Sequence, residues 1–449
     1  MLKAYKEYKA STLPWNNMIP SHWIEQRAKT MYKKENRPVQ TKDDVITCFR
    51  DGIVTLRKNR RTTGFTEAVQ EFGYQGIRKG DLIIHVMDAF AGAIGISDSD
   101  GKGTPVYSVC TAKGDYNNFY YAYIVREMAK TGFIQSLYRG IRERSSDFRF
   151  EVFGSQLLPL PPRPEQDQIV RFLDWKVSMI NTYIKAKKKQ IELLKEQKQA
   201  IINQAVTKGL NPNTPMKDSG IDWLGKIPNG WRVGRLSQQF EIILSGLDKK
   251  SYLNERQVRL CNYVDVYHND FIIDSMKFMQ ATASDSEYDS VLLEEGDVII
   301  TKDSESWDDI AVPAIVDEPL INVCCGYHLA ILRQKYSSKI IPMFLFYLFN
   351  ARFVQIQYKL KANGVTRYSL GYQAIHDAVL LIPPLDEQKA IIEYIAIRIA
   401  NIEKAIILNE RQLALMQEYR VQLVSDVVTG KVDVRKVKVP EVLDERKEE

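Results

Sequence analysis

Arginines and lysines carried on turns can grip phosphates and read guanine edges, and an aromatic side chain beside them can lie against a base. The chain offers such groups repeatedly. Lys58, Arg60 and Arg61 belong to the run Arg57-Lys58-Asn59-Arg60-Arg61 beyond the turn Asp51-Gly52, and Arg142 and Arg144 lie in the basic stretch 139–144. Lys250 and Tyr252 follow Ser245-Gly246, Lys302 and Trp307 follow the stretch opened by Gly296-Asp297, and Arg367-Tyr368 close Asn363-Gly364-Val365-Thr366. These side chains are the candidate nucleic-acid contacts. The bland alternative is a solvated surface of ordinary ion pairs.

Catalytic constellations do not form around them. Gly101-Lys102-Gly103-Thr104 is too short for a phosphate loop, no G-x-G-x-x-G or H-E-x-x-H occurs, and Asn211-Pro212-Asn213 lacks the second proline and aromatic of an amino-methyltransferase box. Glu196-Gln197-Lys198 spells the E-x-K fragment of metal nucleases, but in a helical heptad with no acidic strand end beside it. Cys325 and His328 have a metal-like spacing without a second pair nearby, so no metal site is expected. The residues point to binding.

What must position them is a repeat. Pro161-Pro162-Arg163-Pro164-Glu165-Gln166 returns 222 positions later, from Pro161 to Pro383, as Pro383-Pro384-Leu385-Asp386-Glu387-Gln388. Behind each, apolar residues step by four and three along a gapless register: Leu173, Val177, Ile180 and Ile184 in the first copy, Ile395, Ile399, Ile402 and Ile406 in the second. That 3.5-residue period predicts two long helices with a partner-facing seam, and the two copies are expected to pack on each other. Polar residues break the seam at equivalent places, Lys187 and Lys198 against Asn409 and Arg420, where they can set register. Each helix starts after a Pro-Pro pair and runs out at Gly209 or Gly430.

A second echo precedes each helix: Trp15 to Trp23 and Trp223 to Trp231 share the form W-x-x-x-I-P-x-x-W, which reads as two aromatic anchors around a proline turn. Gly80-Asp81-Leu82-Ile83-Ile84 is matched by Gly296-Asp297-Val298-Ile299-Ile300. The chain thus reads as two units, each a mixed α/β region followed by a long helix. In the first region a hairpin is expected around Asp51-Gly52, strands at 82–86 and 106–110, and a helix over 116–137. The second should hold strands at 259–266, 298–301 and 329–332 and a helix over 342–360. The predicted boundaries are 1–160 and 211–382 for the globular domains, 161–210 and 383–430 for the helices, and 431–449 for a charged tail.

Composition agrees with a binding protein of several domains. The 449 residues are 45% hydrophobic and 26% charged, and a net charge of +6 permits an acidic partner without demanding one. Five cysteines without paired spacing and a polar N-terminus fit a reducing cytoplasm, and no apolar run reaches the ~20 residues of a membrane span.

The form W-L-G-x-I-P-x-x-W at Trp223 to Trp231, L-x-x-P-P-x-x-E-Q at Leu158 to Gln166 with its second copy ending at Gln388, and the paired long helices together resemble the specificity subunit of type I restriction-modification enzymes. The likeness runs from Leu13 to about Arg435; Trp15-Asn16-Asn17-Met18 departs from it by lacking the Leu-Gly pair. The resemblance implies two α/β target-recognition domains, each reading half of a split, asymmetric target in double-stranded DNA, separated by helices that pair antiparallel. It implies two modification subunits as partners, which bring S-adenosylmethionine, and restriction subunits, when present, which use ATP and Mg. The chain itself would bind no cofactor and catalyse nothing. A stand-alone two-headed DNA-binding regulator, or a coiled-coil adaptor, is the competing reading. Four residues inserted between Lys187 and Lys195 should lengthen the unspecified gap and leave the half-sites unchanged.

Overall fold

Proline cannot donate the backbone hydrogen bond of a helix interior, and a glycine with positive φ closes a helix without a Cβ penalty. Between these signals the computed structural model, which describes residues 2–60, 72–137 and 147–440, places two long helices, Arg163–Lys208 and Leu385–Val428. They contain 46 and 44 residues, about 69 and 66 Å of helix at 1.5 Å per residue. Gly209 and Gly430 follow them with φ of +72° and +79°.

The chain divides into two compact units. Unit 1 comprises Met1–Lys187 and Gln412–Glu449, and unit 2 comprises Lys188–Arg411. The division therefore falls inside both helices and not at their ends, so each unit owns one portion of each helix. In unit 1, Ile169, Leu173 and Ile180 of the first helix and Leu423 and Val427 of the second join one core. Ile202 and Val206 of the first helix and Ile391, Ile395 and Ile399 of the second join a core of unit 2. The long helices pack together in both places.

Lys198 and Arg420, two of the four polar breaks in the seam, have partners on the opposite helix. In unit 1, Arg420 Nη1 donates to Asn181 Oδ1 at 2.7 Å. In unit 2, Lys198 Nζ lies 2.7 Å from Glu403 Oε1 and 3.0 Å from Asp270 Oδ2. Asn181 and Glu403 occupy equivalent repeat positions, as do Lys198 and Arg420, so one cross-helix contact is made twice with different chemistry.

The globular part of unit 1 is built on a four-stranded antiparallel sheet in the order Tyr32–Lys34, Tyr107–Ala112, Leu82–His85, Ile94–Ile96. The hairpin around Asp51-Gly52 pairs Ile46–Cys48 with Val54–Leu56. The helix expected over 116–137 is split into Asn118–Lys130 and Phe133–Ser136, because Gly132 takes a φ of +77° between them. Unit 2 holds a five-stranded sheet in the order Phe240–Leu244, Leu329–Gln334, Val298–Thr301, Pro313–Val316, Phe271–Ile272. Here the strand expected over 259–266 stops at Cys261, and Tyr263–His268 is helical. The Asp265 carboxylate accepts from Asn262 N at 2.7 Å, a capping bond that starts a helix where alternating Val264 and Val266 imitated a strand. The helix expected over 342–360 is likewise two, Pro342–Phe349 and Arg352–Lys361.

The repeated motifs meet at one joint per unit. In unit 1 the buried Trp23 donates from Nε1 to Glu165 Oε1 at 3.0 Å; in unit 2 the buried Trp231 donates to Glu387 Oε2 at 2.9 Å. The neighbouring glutamines also do the same work. Gln166 Oε1 accepts from Asn117 N, the residue capping helix Asn118–Lys130, and its Nε2 donates to Pro161 O. Gln388 Oε1 accepts from Ile341 N, ahead of helix Pro342–Phe349, and its Nε2 donates to Pro383 O. The Glu-Gln pair after each Pro-Pro is a socket for a tryptophan and for the start of the unit's own helix.

The charged tail expected over 431–449 is a docked segment through its described residues. Val434 is fully buried, Val432, Val437 and Val439 pack on the unit 1 core, and Gln168 Nε2 donates to the carbonyls of Val434 and Val437. The segment also meets the N-terminal residues through an isolated antiparallel bridge between Lys3 and Asp433. Residues 441–449 lie outside the described set.

A Cβ at Gly430 would sit 2.5 Å from Pro20 Cδ and 3.0 Å from the Trp23 ring, besides the unfavourable φ. Gly430→Ala should therefore destabilise unit 1 by roughly 2 kcal/mol, read as a lower denaturation midpoint. No helix among the described residues is long and apolar enough to cross a membrane.

Candidate nucleic-acid interface

A cation that is to hold phosphate must be free of its own carboxylates or able to exchange them, and exposed pairs exchange readily because each contributes only about 0–1 kcal/mol. In unit 1, Lys58 Nζ lies 2.6 Å from Asp44 Oδ2 and holds that carboxyl below its ordinary range. Arg60 forks onto Asp51 at the hairpin turn, with bonds of 2.8 and 2.5 Å, and stacks over the Phe49 ring at 4.4 Å. Both pairs are exposed. Arg61, Arg142 and Arg144 lie outside the described residues.

Unit 2 brings several candidates together at the end of strand Val298–Thr301. Lys302 follows that strand; its backbone N–H donates to His328 O and its carbonyl accepts from Leu370 N. Asp303–Ser304 then pairs with Tyr368–Ser369, which pairs in turn with Asn363–Gly364. Lys302, Arg367 and Tyr368 are thereby placed around one small sheet, with the exposed Trp307 three residues beyond Ser304. Lys250 and Tyr252 do not belong to that sheet. Lys250 sits 3.5 Å from Asp248, and Tyr252, exposed, is held through its backbone by Thr282 Oγ1 at 2.8 Å.

Asp303 is the organising acid. His328 Nδ1 approaches its Oδ2 at 2.7 Å and Lys302 Nζ at 3.4 Å. Burial raises the Asp303 carboxyl, but the bonds from His328 and Ser369 and the charge of Lys302 outweigh it and hold the group below the usual carboxylate range. It is therefore an anion at neutral pH, and it fixes the Lys302 and His328 side chains, which keep 17% and 19% exposure. His328 is occupied in this way, Cys325 beside it is buried with its thiol pushed up by burial, and no group of three or more metal-binding side chains exists among the described residues.

Sequence reasoning did not single out Asp303, Tyr263 or Tyr267, and it weighed His328 only as a metal ligand. The two tyrosine rings stack at 5.3 Å, and Tyr267 donates to Asp309 Oδ2 at 2.5 Å, a bond that, with burial, pushes its hydroxyl up to about 12. Their four-residue spacing was the available signal, hidden once the segment was read as a strand. Nothing local joins Asp303 to His328, which lie 25 residues apart.

No family model matches the chain. The MjaVIII type I restriction enzyme specificity subunit of Methanocaldococcus jannaschii is 24% identical over 294 residues, which is 64% of this chain and 64% of that relative. The putative MjaX specificity subunit of the same organism is 23% identical over 331 residues, covering 72% of this chain and 70% of its own length. Among solved structures, a chain from a type I R-M system studied for complex assembly and conformational transition superposes with a TM-score of 0.67 at 15% identity, over 92% of this chain and 99% of that one. The HsdS subunit of Thermoanaerobacter tengcongensis gives 0.52 at 16% identity, over 92% and 98%. In sequence the chain is similar to specificity subunits of type I restriction enzymes, and it shares its fold with solved chains of type I R-M systems.

Proposed function

We propose that the chain gives a type I restriction-modification complex its DNA sequence specificity. Residues 1–160 and 211–382 each read one half of a bipartite, asymmetric target in double-stranded DNA, while the long helices pair antiparallel as a coiled coil, set the gap between the half-sites and dock two methyltransferase subunits. Those subunits supply S-adenosylmethionine and the methylation chemistry; restriction subunits, where present, add ATP- and Mg-dependent steps. The chain directs these enzymes and catalyses nothing itself.

The observation that carries this reading is the joint that recurs in both units, Trp23 on Glu165 and Trp231 on Glu387, beneath globular parts that differ. A shared frame under a four-stranded sheet in one unit and a five-stranded sheet in the other suits two different half-sites. The pairs Asn181 with Arg420 and Lys198 with Glu403 match rising numbers on one helix to falling numbers on the other, which supports antiparallel pairing. Candidate cations at Lys58, Arg60, Lys250, Lys302 and Arg367, with Tyr252, Trp307 and Tyr368, supply groups for phosphate and base contact. Arg61, Arg142 and Arg144 are carried in the same role from the sequence.

Mapping N6-methyladenine in host DNA with and without the gene tests this directly. A split motif with a fixed gap should vanish on deletion. Unchanged methylation, together with tight DNA binding by the chain alone, would favour the stand-alone regulator.

A further inference from the structure

We infer that hairpin 363–369 is the finger with which unit 2 reads base edges in the major groove, Arg367 addressing a guanine and Val365 a thymine methyl. This rests on the DNA-reading function proposed above and gives it a chemical address.

The tip first demands explanation. Gly364 pairs with Tyr368, which leaves Val365, Thr366 and Arg367 as a three-residue loop, all exposed. Val365 is 91% exposed, and nothing in the fold is gained by an apolar side chain there. The turn is nevertheless tightly specified: Gly364 has a φ of +151°, and a Cβ on it would lie 1.8 Å from the Arg367 carbonyl oxygen. Its base is mounted on the central sheet. Ser369 pairs with Asp303, Leu370 N donates to Lys302 O at 2.8 Å, the Leu370 side chain is buried, and His328, in the turn ahead of strand Leu329–Gln334, fixes Asp303. A rigidly mounted hairpin with an unburied valine at its tip is built for contact with something else.

The ion pairs mark Arg367 as the candidate left to engage a ligand, and the acidic segment beside its sheet favours a base over a phosphate. Among the described basic candidates, Lys58, Arg60, Lys250 and Lys302 each have a carboxylate partner, and Arg367 alone forms no ion pair among the described residues. The segment leaving the same small sheet carries Glu305, Asp308 and Asp309. Those carboxylates would be repelled by a phosphate track but are compatible with base amino groups. A two-stranded ribbon fits the major groove, a guanidinium can fork onto guanine O6 and N7, and an apolar group can pack on the thymine methyl.

The test uses the full chain with its own partner subunits in the host. Chromosomal Arg367→Ala is expected to relax one position in one half-site of the methylation motif, with the other half-site and the gap unchanged. With the purified complex, discrimination at that position should fall about ten- to a hundred-fold while the salt dependence of binding keeps its slope. If the variant abolishes methylation in cells, the same binding measurement decides: lost discrimination at an unchanged slope supports the finger. An unchanged motif overturns it, as does uniform weakening with the slope reduced by about one, the behaviour of a phosphate contact. Val365→Ala should act on a single neighbouring position, and an effect spread over both half-sites would count against the assignment. A wild-type strain lacking any bipartite motif would instead remove the proposed function, so the two failures are distinguishable.

Discussion

Glu165→Ala is expected to unfold unit 1 selectively, with a loss on the order of 3–5 kcal/mol, whereas Glu387→Ala should cost unit 2 only about 1–3 kcal/mol. The difference follows from the number of donors each carboxylate serves. Glu165 is buried and accepts from the Tyr5 hydroxyl at 2.6 Å, from Trp23 Nε1 at 3.0 Å and lies 2.8 Å from His22 Nε2. Tyr5 and Trp23 are buried, so alanine strands two donors away from water. It also removes a negative charge from the first turn of a long helix, where the backbone dipole favours one. Glu387 is half-buried and serves Trp231 Nε1, with a bond of 2.9 Å. Because a two-unit chain need not unfold in one step, hydrogen exchange over 2–27 and 163–173 is the proper readout, with 226–235 and 385–395 as the comparison. Equal losses in the two variants would show that the extra bonds from Tyr5 and His22 contribute nothing.

That asymmetry also shows what a linear reading can and cannot reach. The helices were legible because their signal is local and repeated: a Pro-Pro start, a 3.5-residue seam and a closing glycine place their ends within about two residues. The motif pairs at Trp23 and Glu165 were visible too, but not that they touch, since 142 residues separate them. Tyr5, placed in an N-terminus that reads as basic and polar, is buried by the same joint. The packing of the C-terminal segment was not legible for a related reason. Lys431, Asp433, Arg435 and Lys436 dominate its composition, yet the valines spaced between them pack on the core, and Asp433 is held low by Arg435, which lies over the Tyr5 ring at 4.9 Å.

The candidate interface was legible as residue types and loops but not as partnerships. Lys58 and Arg60 were legible as cations, but not their partners, Asp44 and Asp51, which stand 14 and 9 residues away. The grouping of Lys302 with Arg367 and Tyr368 depends on strand Asp303–Ser304 pairing across more than sixty residues, which no local pattern encodes. The sequence marked 363–368 only as a loop; that Asn363-Gly364 are its paired flank, opposite Tyr368–Ser369, and Val365 to Arg367 its turn is set by the strand pairing.

The second large effect concerns the helices as a measuring device. Four residues inserted between Lys187 and Lys195, with a matching insertion between Asn409 and Gln417, should lengthen the unspecified gap of the methylation motif by one or two base pairs and leave both half-sites intact. Four helical residues add about 6 Å, and stacked base pairs advance by about 3.4 Å. Matching insertions matter because the seam is keyed on both sides of the site. Asn181 must still meet Arg420 in unit 1, and Lys198 must still meet Glu403 and Asp270 in unit 2. An insertion in one helix alone would shift one of these contacts by about a turn, stranding Lys198 or Arg420 against apolar neighbours, so it should lower stability as well as change the gap. Sequencing N6-methyladenine in strains carrying each construction separates the cases. A half-site that changes while the gap stays fixed would mean that the helices do not set the distance, and that the polar pairs serve only to hold each unit's own portions of helix together.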